Sequence, residues 1–316
     1  MAVAFVFPGQ GSQSVGMGQS LARAFPAAKA ALDEADAALG GGLSRLLAEG
    51  PDEELKLTSN TQPAILAVSV AAQRALFEVL GAKALAPGFP AAYAGHSLGE
   101  YSALVAAGSL QLADAVRAVR ARGTFMQEAV PAGTGAMAAI LGLAPSAVAA
   151  ACAEAAQGDV VSPANYNSPE QTVIAGSVAA VERAIAACKA RGAKRAMPLP
   201  VSAPFHCALM APVQPRLASV LAGVTVSAPR GPIFANVTAA PNADAARIVP
   251  LLLEQVVAPV RWVEIVEALA RAGVDTLIEL GPGKVLGGLT KRIDKSLKMF
   301  SVDDEASLRA CAEALQ

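Results

Sequence analysis

The chain of 316 residues has only two histidines, His96 and His206. Any reaction that needs an imidazole base must use one of them, and a histidine-built metal centre is excluded. The four cysteines, Cys152, Cys188, Cys207 and Cys311, are scattered without paired or metal-ligand spacing. That excludes a disulfide scaffold and a zinc module, and points to reduced thiols in a cytoplasmic protein. A formal net charge of −1 argues against a nucleic-acid partner. Long uninterrupted apolar runs are also missing. The 54% hydrophobic content and mean hydropathy of +0.45 are inflated by alanine, and no stretch has the length a membrane helix requires. The most apolar segment, Pro63 to Leu80, is broken by Gln73, Arg74 and Glu78 on one face and reads as a buried amphipathic helix. The leading run Met1 to Phe7 has no basic leader and reads as a buried strand rather than a signal peptide.

What is present is an alternation of apolar strand candidates with helical stretches. The strands fall at 2–7, 91–96, 231–237, 274–280 and 297–302. Such alternation predicts a mostly parallel sheet covered on both faces. One region breaks the rhythm: Ala136–Leu141, Val160–Tyr166, Thr172–Gly176 and Lys194–Leu199 read as strands, with helices at Pro145–Ala156 and Val178–Arg191. The order βαββαβ is that of a ferredoxin-like unit. Pro131-Ala132-Gly133-Thr134-Gly135 and Pro198-Leu199-Pro200 mark its edges. The chain is therefore expected to be α/β: a large, discontinuous domain of residues 1–130 and 200–316, interrupted by a small domain of residues 131–199. The cleft between the two would suit a small-molecule site.

Gly95-His96-Ser97-Leu98-Gly99 sits where a strand candidate, Ala91 to Ala94, meets a helix-forming run, Glu100 to Ala107. That is the context of a G-x-S-x-G nucleophile elbow. The tight turn pushes Ser97 Oγ into the open, and the helix start behind it offers free N–H groups to a developing anion. His96 adjoins Ser97 at a strand end, where neighbouring side chains point to opposite faces. It is expected to pack beneath the turn, which leaves His206 as the base. Acids between Ser97 and His206 are few and read as exposed, so no third carboxylate stands out to orient the imidazole. A backbone or amide carbonyl would serve instead.

Arg122 lies on a helix spanning roughly 111–129 that turns Val116, Val119 and Met126 inward. An arginine on such a helix is ordinarily solvated. A planar guanidinium beside Gly123 on this face would also suit bidentate capture of a carboxylate.

Phe7-Pro8-Gly9-Gln10-Gly11-Ser12-Gln13, Gly95-His96-Ser97-Leu98-Gly99-Glu100, Arg122-Gly123, Phe205-His206 and Gly281-Pro282-Gly283-Lys284-Val285-Leu286 occur in that order. Together they resemble the malonyl-CoA:acyl-carrier-protein transacylases over nearly the whole chain. The resemblance implies a hydrolase-like core with an inserted ferredoxin-like subdomain. It implies Ser97 as the acylated nucleophile, His206 as general base and acid, and the N–H groups of Gln10 and Leu98 as the oxyanion hole. It also implies that the main-chain carbonyl of Gln255 orients the histidine and that Arg122 binds the malonyl carboxylate. Gln62, Met126, Gln171 and Phe205 would line the pocket, with Phe205 crowding an α-methyl substituent. Lys194 and Arg195 match a basic pair at the entrance for the carrier or coenzyme A. The implied partners are malonyl-CoA and acyl carrier protein, with no membrane, no metal and no cofactor, in fatty-acid or polyketide synthesis. Two rivals share parts of this pattern. A serine thioesterase or esterase would use Ser97 and His206 but leave Arg122 without a purpose, and a non-catalytic acyl-CoA-binding protein would need neither nucleophile nor base.

Overall fold

The computed structural model describes residues 1–131, 133–200 and 203–316; Ala132 of the first boundary segment, Val201 and Ser202 lie outside the described residues. The strands are β1 (Val3–Phe7), β2 (Ala92–Gly95), β3 (Gly135–Leu141), β4 (Val161–Ser168), β5 (Gln171–Ser177), β6 (Arg195–Pro198), β7 (Ile233–Phe234), β8 (Pro241–Asn242), β9 (Thr276–Leu280) and β10 (Lys298–Val302). The larger sheet runs β10-β9-β1-β2-β7-β8. Its neighbours are parallel except for the β7–β8 edge.

Strand β1 is buried at all five positions because helices cover both faces of the sheet. Successive side chains alternate between those faces. Phe5, Phe7 and Tyr93 join the core formed with the helices Thr58–Leu80 and Leu112–Glu128. Ala4, Val6, Ala92 and Ala94 face Trp262, Ile265 and Leu269 of the helix Trp262–Arg271. Small residues on this second face leave room for the tryptophan. The helix Thr58–Leu80 and the turn that continues it to Leu85 are long and apolar enough to span a bilayer, yet 72% of the apolar window is buried within the fold. That matches the buried helix expected from the sequence.

The second sheet runs β4-β5-β3-β6 with every neighbouring pair antiparallel. Helices Pro145–Ala156 and Val178–Ala190 pack on one face against Ala138, Ile140 and Ile174. The opposite face, with Met137, Ala139, Val173 and Ala175, packs against Cys207 and Phe205 beside the catalytic candidate His206. Order and strand bounds agree with the ferredoxin-like expectation to within two residues. A backbone link joins this sheet to the rest: Tyr166 N–H donates to Val260 O at 2.9 Å, and Val260 N–H donates to Ala164 O at 2.9 Å.

One strand expectation needs correction. The segment 231–237 contributes only Ile233–Phe234 to the ladder, because Asn236 turns its amide to the serine elbow instead. All four cysteines are free and buried. Burial pushes the thiols of Cys152 and Cys311 up to about 12 and that of Cys207 up to about 11.

The elbow depends on close approach of strand and helix. A Cβ on Gly95 would lie 2.0 Å from the backbone carbonyl carbon and oxygen of Gly99. Gly95→Ala should therefore cost about 3 kcal/mol or more, since neither backbone can yield locally. Urea denaturation measures this, and a variant as stable as the wild type would show that strand and helix can part without loss.

Candidate active site

Strand β2 ends at Gly95, and the helix Gly99–Ala106 begins two residues after Ser97. Ser97 itself has φ 52°, in the left-handed region that a residue with a Cβ rarely occupies. Holding it there costs on the order of 1–3 kcal/mol. Two side chains restrain it. Ser97 N–H donates to Asn236 Oδ1 at 2.7 Å, and Gln255 Nε2–H donates to Ser97 O at 3.0 Å. Asn236 completes its hold by donating Nδ2–H to Gly95 O at 2.7 Å.

His206 arrives from the turn that follows the small sheet, also with a left-handed φ of 58°. Its Nε2 lies 2.7 Å from Ser97 Oγ, and its Nδ1 lies 2.8 Å from the main-chain carbonyl of Gln255. A carbonyl can only accept, so Nδ1 carries the proton and Nε2 presents a lone pair to the serine hydroxyl. Here a carbonyl occupies the place that an acid takes in a triad. Burial, with the Arg122 charge added, pushes the imidazole down to about 3, so it is neutral and its Nε2 lone pair is free to face the serine hydroxyl.

Arg122 is 1% exposed. The reason is Gly123, where a Cβ would come 2.6 Å from Thr58 O. The two helices therefore meet without a spacer, and the arginine beside the contact points inward. Nη1–H donates to Gln62 Oε1 at 2.8 Å, while Nη2–H donates to Gln255 Oε1 at 2.9 Å and reaches Ser97 Oγ at 3.3 Å. Among the described residues Nε–H has no partner, and no carboxylate pairs directly with the guanidinium. Burial lowers its affinity for a proton, though an arginine remains charged. A buried cation held only by neutral groups is poised for an anion from outside.

Ser97, Leu98, Gln10, Gln62, Arg122, Met126, Phe205 and His206 line one cavity. The main-chain N–H groups of Gln10 and Leu98 have no hydrogen-bond partner among the described residues. Gln171 is not in this cavity. It lines an adjoining groove that shares Gln10, His96, Asn165 and Leu199 with the serine site. Lys194 and Arg195 lie farther off, in a cleft with Lys291, Arg292 and Lys295. His96 packs its ring 5.7 Å from that of Trp262 and also lines the cavity wall, with Nε2 2.8 Å from Asn167 Oδ1 on β4.

A sequence model described as the acyl transferase domain matches residues 4–307. The malonyl CoA-acyl carrier protein transacylase of Salmonella typhimurium is 55% identical over 307 residues, covering 97% of each chain. That of Escherichia coli is 54% identical over 310 residues, covering 98% of each. The chain belongs to the malonyl CoA-acyl carrier protein transacylase family. Solved structures agree in fold. An acyl carrier protein S-malonyltransferase from Vibrio cholerae superposes with a TM-score of 0.94 at 53% identity, over 98% of this chain and 100% of that one. A malonyl-transacylase in complex with its type II PKS acyl-carrier protein gives 0.94 at 50% identity, over 99% and 100%. Like its transacylase relatives, this chain is an acyltransferase with an α/β core.

Sequence reasoning missed two residues of this site. Asn236 stood inside a run read as plain strand, where a lone amide among Ile233, Phe234 and Ala235 was the available signal. Glu100 was noted only as part of the elbow motif. It is 3% exposed, and its Oε2 accepts from Gln255 Nε2–H at 2.7 Å and Asn236 N–H at 3.1 Å. Burial pushes its carboxyl up to about 7 despite those donors.

The low affinity of His206 for protons has a measurable consequence. An unfolded histidine takes up a proton near pH 6.5, whereas the folded chain keeps His206 neutral down to about 3. Between those values the unfolded state holds the extra proton, so this residue makes stability fall as pH falls. Relative to His206→Asn, the wild type should lose about 1.4 kcal/mol per pH unit between pH 6 and 4. Urea midpoints across that range test it, and parallel curves for the two proteins would refute it.

Proposed function

We propose that Ser97 and His206 carry malonyl from coenzyme A to the phosphopantetheine thiol of an acyl carrier protein in two half-reactions. His206 Nε2 takes the Ser97 proton as Oγ attacks the thioester carbonyl. The developing oxyanion is met by the N–H groups of Gln10 and Leu98 at the start of the elbow helix. Collapse breaks the carbon–sulfur bond, and the departing coenzyme A sulfur takes the proton from His206. The carrier thiol then repeats the steps in reverse, and the malonyl ester on Ser97 becomes a thioester again. Thioester replaces thioester, so the net reaction needs no outside energy source.

The observation that carries this reading is Arg122, buried 3.3 Å from the nucleophile with only neutral partners. A malonyl carboxylate would supply the missing anion. It would also offset the positive charge that helps depress the proton affinity of His206. The base would then strengthen when the correct acyl group is bound. A thioesterase gains nothing from such a cation, and the transacylase relatives give no support to that rival.

The remaining features fit a long thioester arm. The groove containing Gln171 is neutral and joins the serine cavity, as an amide-bearing pantetheine chain requires. Lys194 and Arg195, with Lys291, Arg292 and Lys295, would meet phosphates or an acidic carrier beyond it. On this reading residues 131–199 form a small domain that closes one side of the track, with 1–130 and 200–316 forming the catalytic domain. Four free thiols fit a reducing cytoplasmic location.

Two experiments test the reading. After brief exposure to malonyl-CoA and acid quench, peptide mapping should find the added malonyl mass on Ser97; an adduct on a cysteine, or none, would overturn the mechanism. Arg122→Ala should lower malonyl kcat/KM by roughly 30-fold to several thousand-fold, from loss of about 2–5 kcal/mol for a broken buried pair. Acetyl transfer should be spared, because acetyl has no carboxylate. If both substrates fall by the same factor, Arg122 merely supports the structure.

A further inference from the structure

We infer that Glu100 is a positioning residue for acyl choice: by accepting the side-chain N–H of Gln255, it locks that amide with its oxygen toward Arg122. The inference rests on reading Arg122 as the group that holds the substrate carboxylate. It assigns work to a buried carboxyl that the transfer steps leave unused.

The geometry is a hub at Gln255. Gln255 Nε2–H donates to Glu100 Oε2 at 2.7 Å and to Ser97 O at 3.0 Å, and Gln255 Oε1 accepts from Arg122 Nη2–H at 2.9 Å. A primary amide has a donor end and an acceptor end of nearly the same shape. Turned the other way, Gln255 would set an NH2 against the guanidinium and an oxygen against two other oxygens. Gln255 is fully buried, so no water is at hand to repair that arrangement. Of the contacts that fix its orientation, the one from Glu100 is the shortest. Glu100 is itself fixed, lying in the first turn of the elbow helix and accepting from Asn236 N–H at 3.1 Å.

Interposing an amide matters electrically. A carboxylate directly against Arg122 would form a buried ion pair and compete with the substrate for the same donors. Through Gln255 the Glu100 acceptor supports the cation without touching it, and a chain of hydrogen bonds polarises along its length. The Nε–H of Arg122 is left buried without a partner among the described residues.

The test measures kcat and KM for acylation by malonyl-CoA and acetyl-CoA in folded variants, with Arg122→Ala as reference. Glu100→Ala should lower the malonyl-to-acetyl ratio of kcat/KM by about tenfold or more, the size of one hydrogen bond to a charged group. The loss should appear mainly in the malonyl KM. Glu100→Gln keeps an acceptor oxygen and should restore the ratio to within about threefold of wild type. Gln255→Leu deletes the amide but keeps the main-chain carbonyl for His206, and should lower the ratio as Glu100→Ala does. An unchanged ratio in Glu100→Ala or in Gln255→Leu, an equal fall for both acyl groups, or a Glu100→Gln variant as impaired as Glu100→Ala would each overturn the proposal. If Arg122→Ala itself leaves the ratio intact, the reading of Arg122 fails, and that failure is visible separately.

Discussion

A guanidinium withdrawn from water without a carboxylate against it governs the architecture around Ser97. Burying such a charge is costly unless every donor is met. Gln62 and Gln255 meet part of the demand from opposite sides, and Tyr101 offers a ring face 5.7 Å away. These partners come from separate segments of the chain, so only the assembled fold satisfies Arg122. On the proposed reading, the same residue that makes the folded state expensive would favour an acyl group with a negative end.

Strain is stored beside that charge. Ser97 and His206 both hold left-handed backbone conformations, and each is pinned by Gln255, through its side chain in one case and its main chain in the other. One glutamine thus holds Ser97, His206 and Arg122 together. In a serine triad a carboxylate usually orients the imidazole. Here a neutral carbonyl does so, and among the described residues no carboxylate stands directly against Arg122. The buried acid of the site, Glu100, is kept one amide away.

Much of this was legible in the residues themselves. The βαββαβ interruption was readable because its strands and helices have conventional lengths and its edges carry proline and glycine. The elbow was readable because glycine spacing reports on backbone crowding. Arg122 could be singled out only by its place on an apolar stripe, and its isolation from acids required the packing of two helices. Asn236 and Glu100 were hidden for a related reason. Their functions arise from hydrogen bonds between segments more than 130 residues apart, and sequence periodicity carries no trace of such pairings. His96 packs on Trp262, but its place in the cavity wall was not legible, because it depends on the small sheet bringing Asn167 alongside.

An enzyme that handles activated thioesters exposes its own sulfur atoms to them, because thiolates exchange readily with acyl–sulfur bonds. Cys207 sits immediately after His206, close to where such an acyl group would be delivered. Its burial, shared with the other three cysteines, suppresses ionisation and removes access. On the proposed mechanism such burial would keep the four thiols out of competition with the Ser97 hydroxyl for the acyl group.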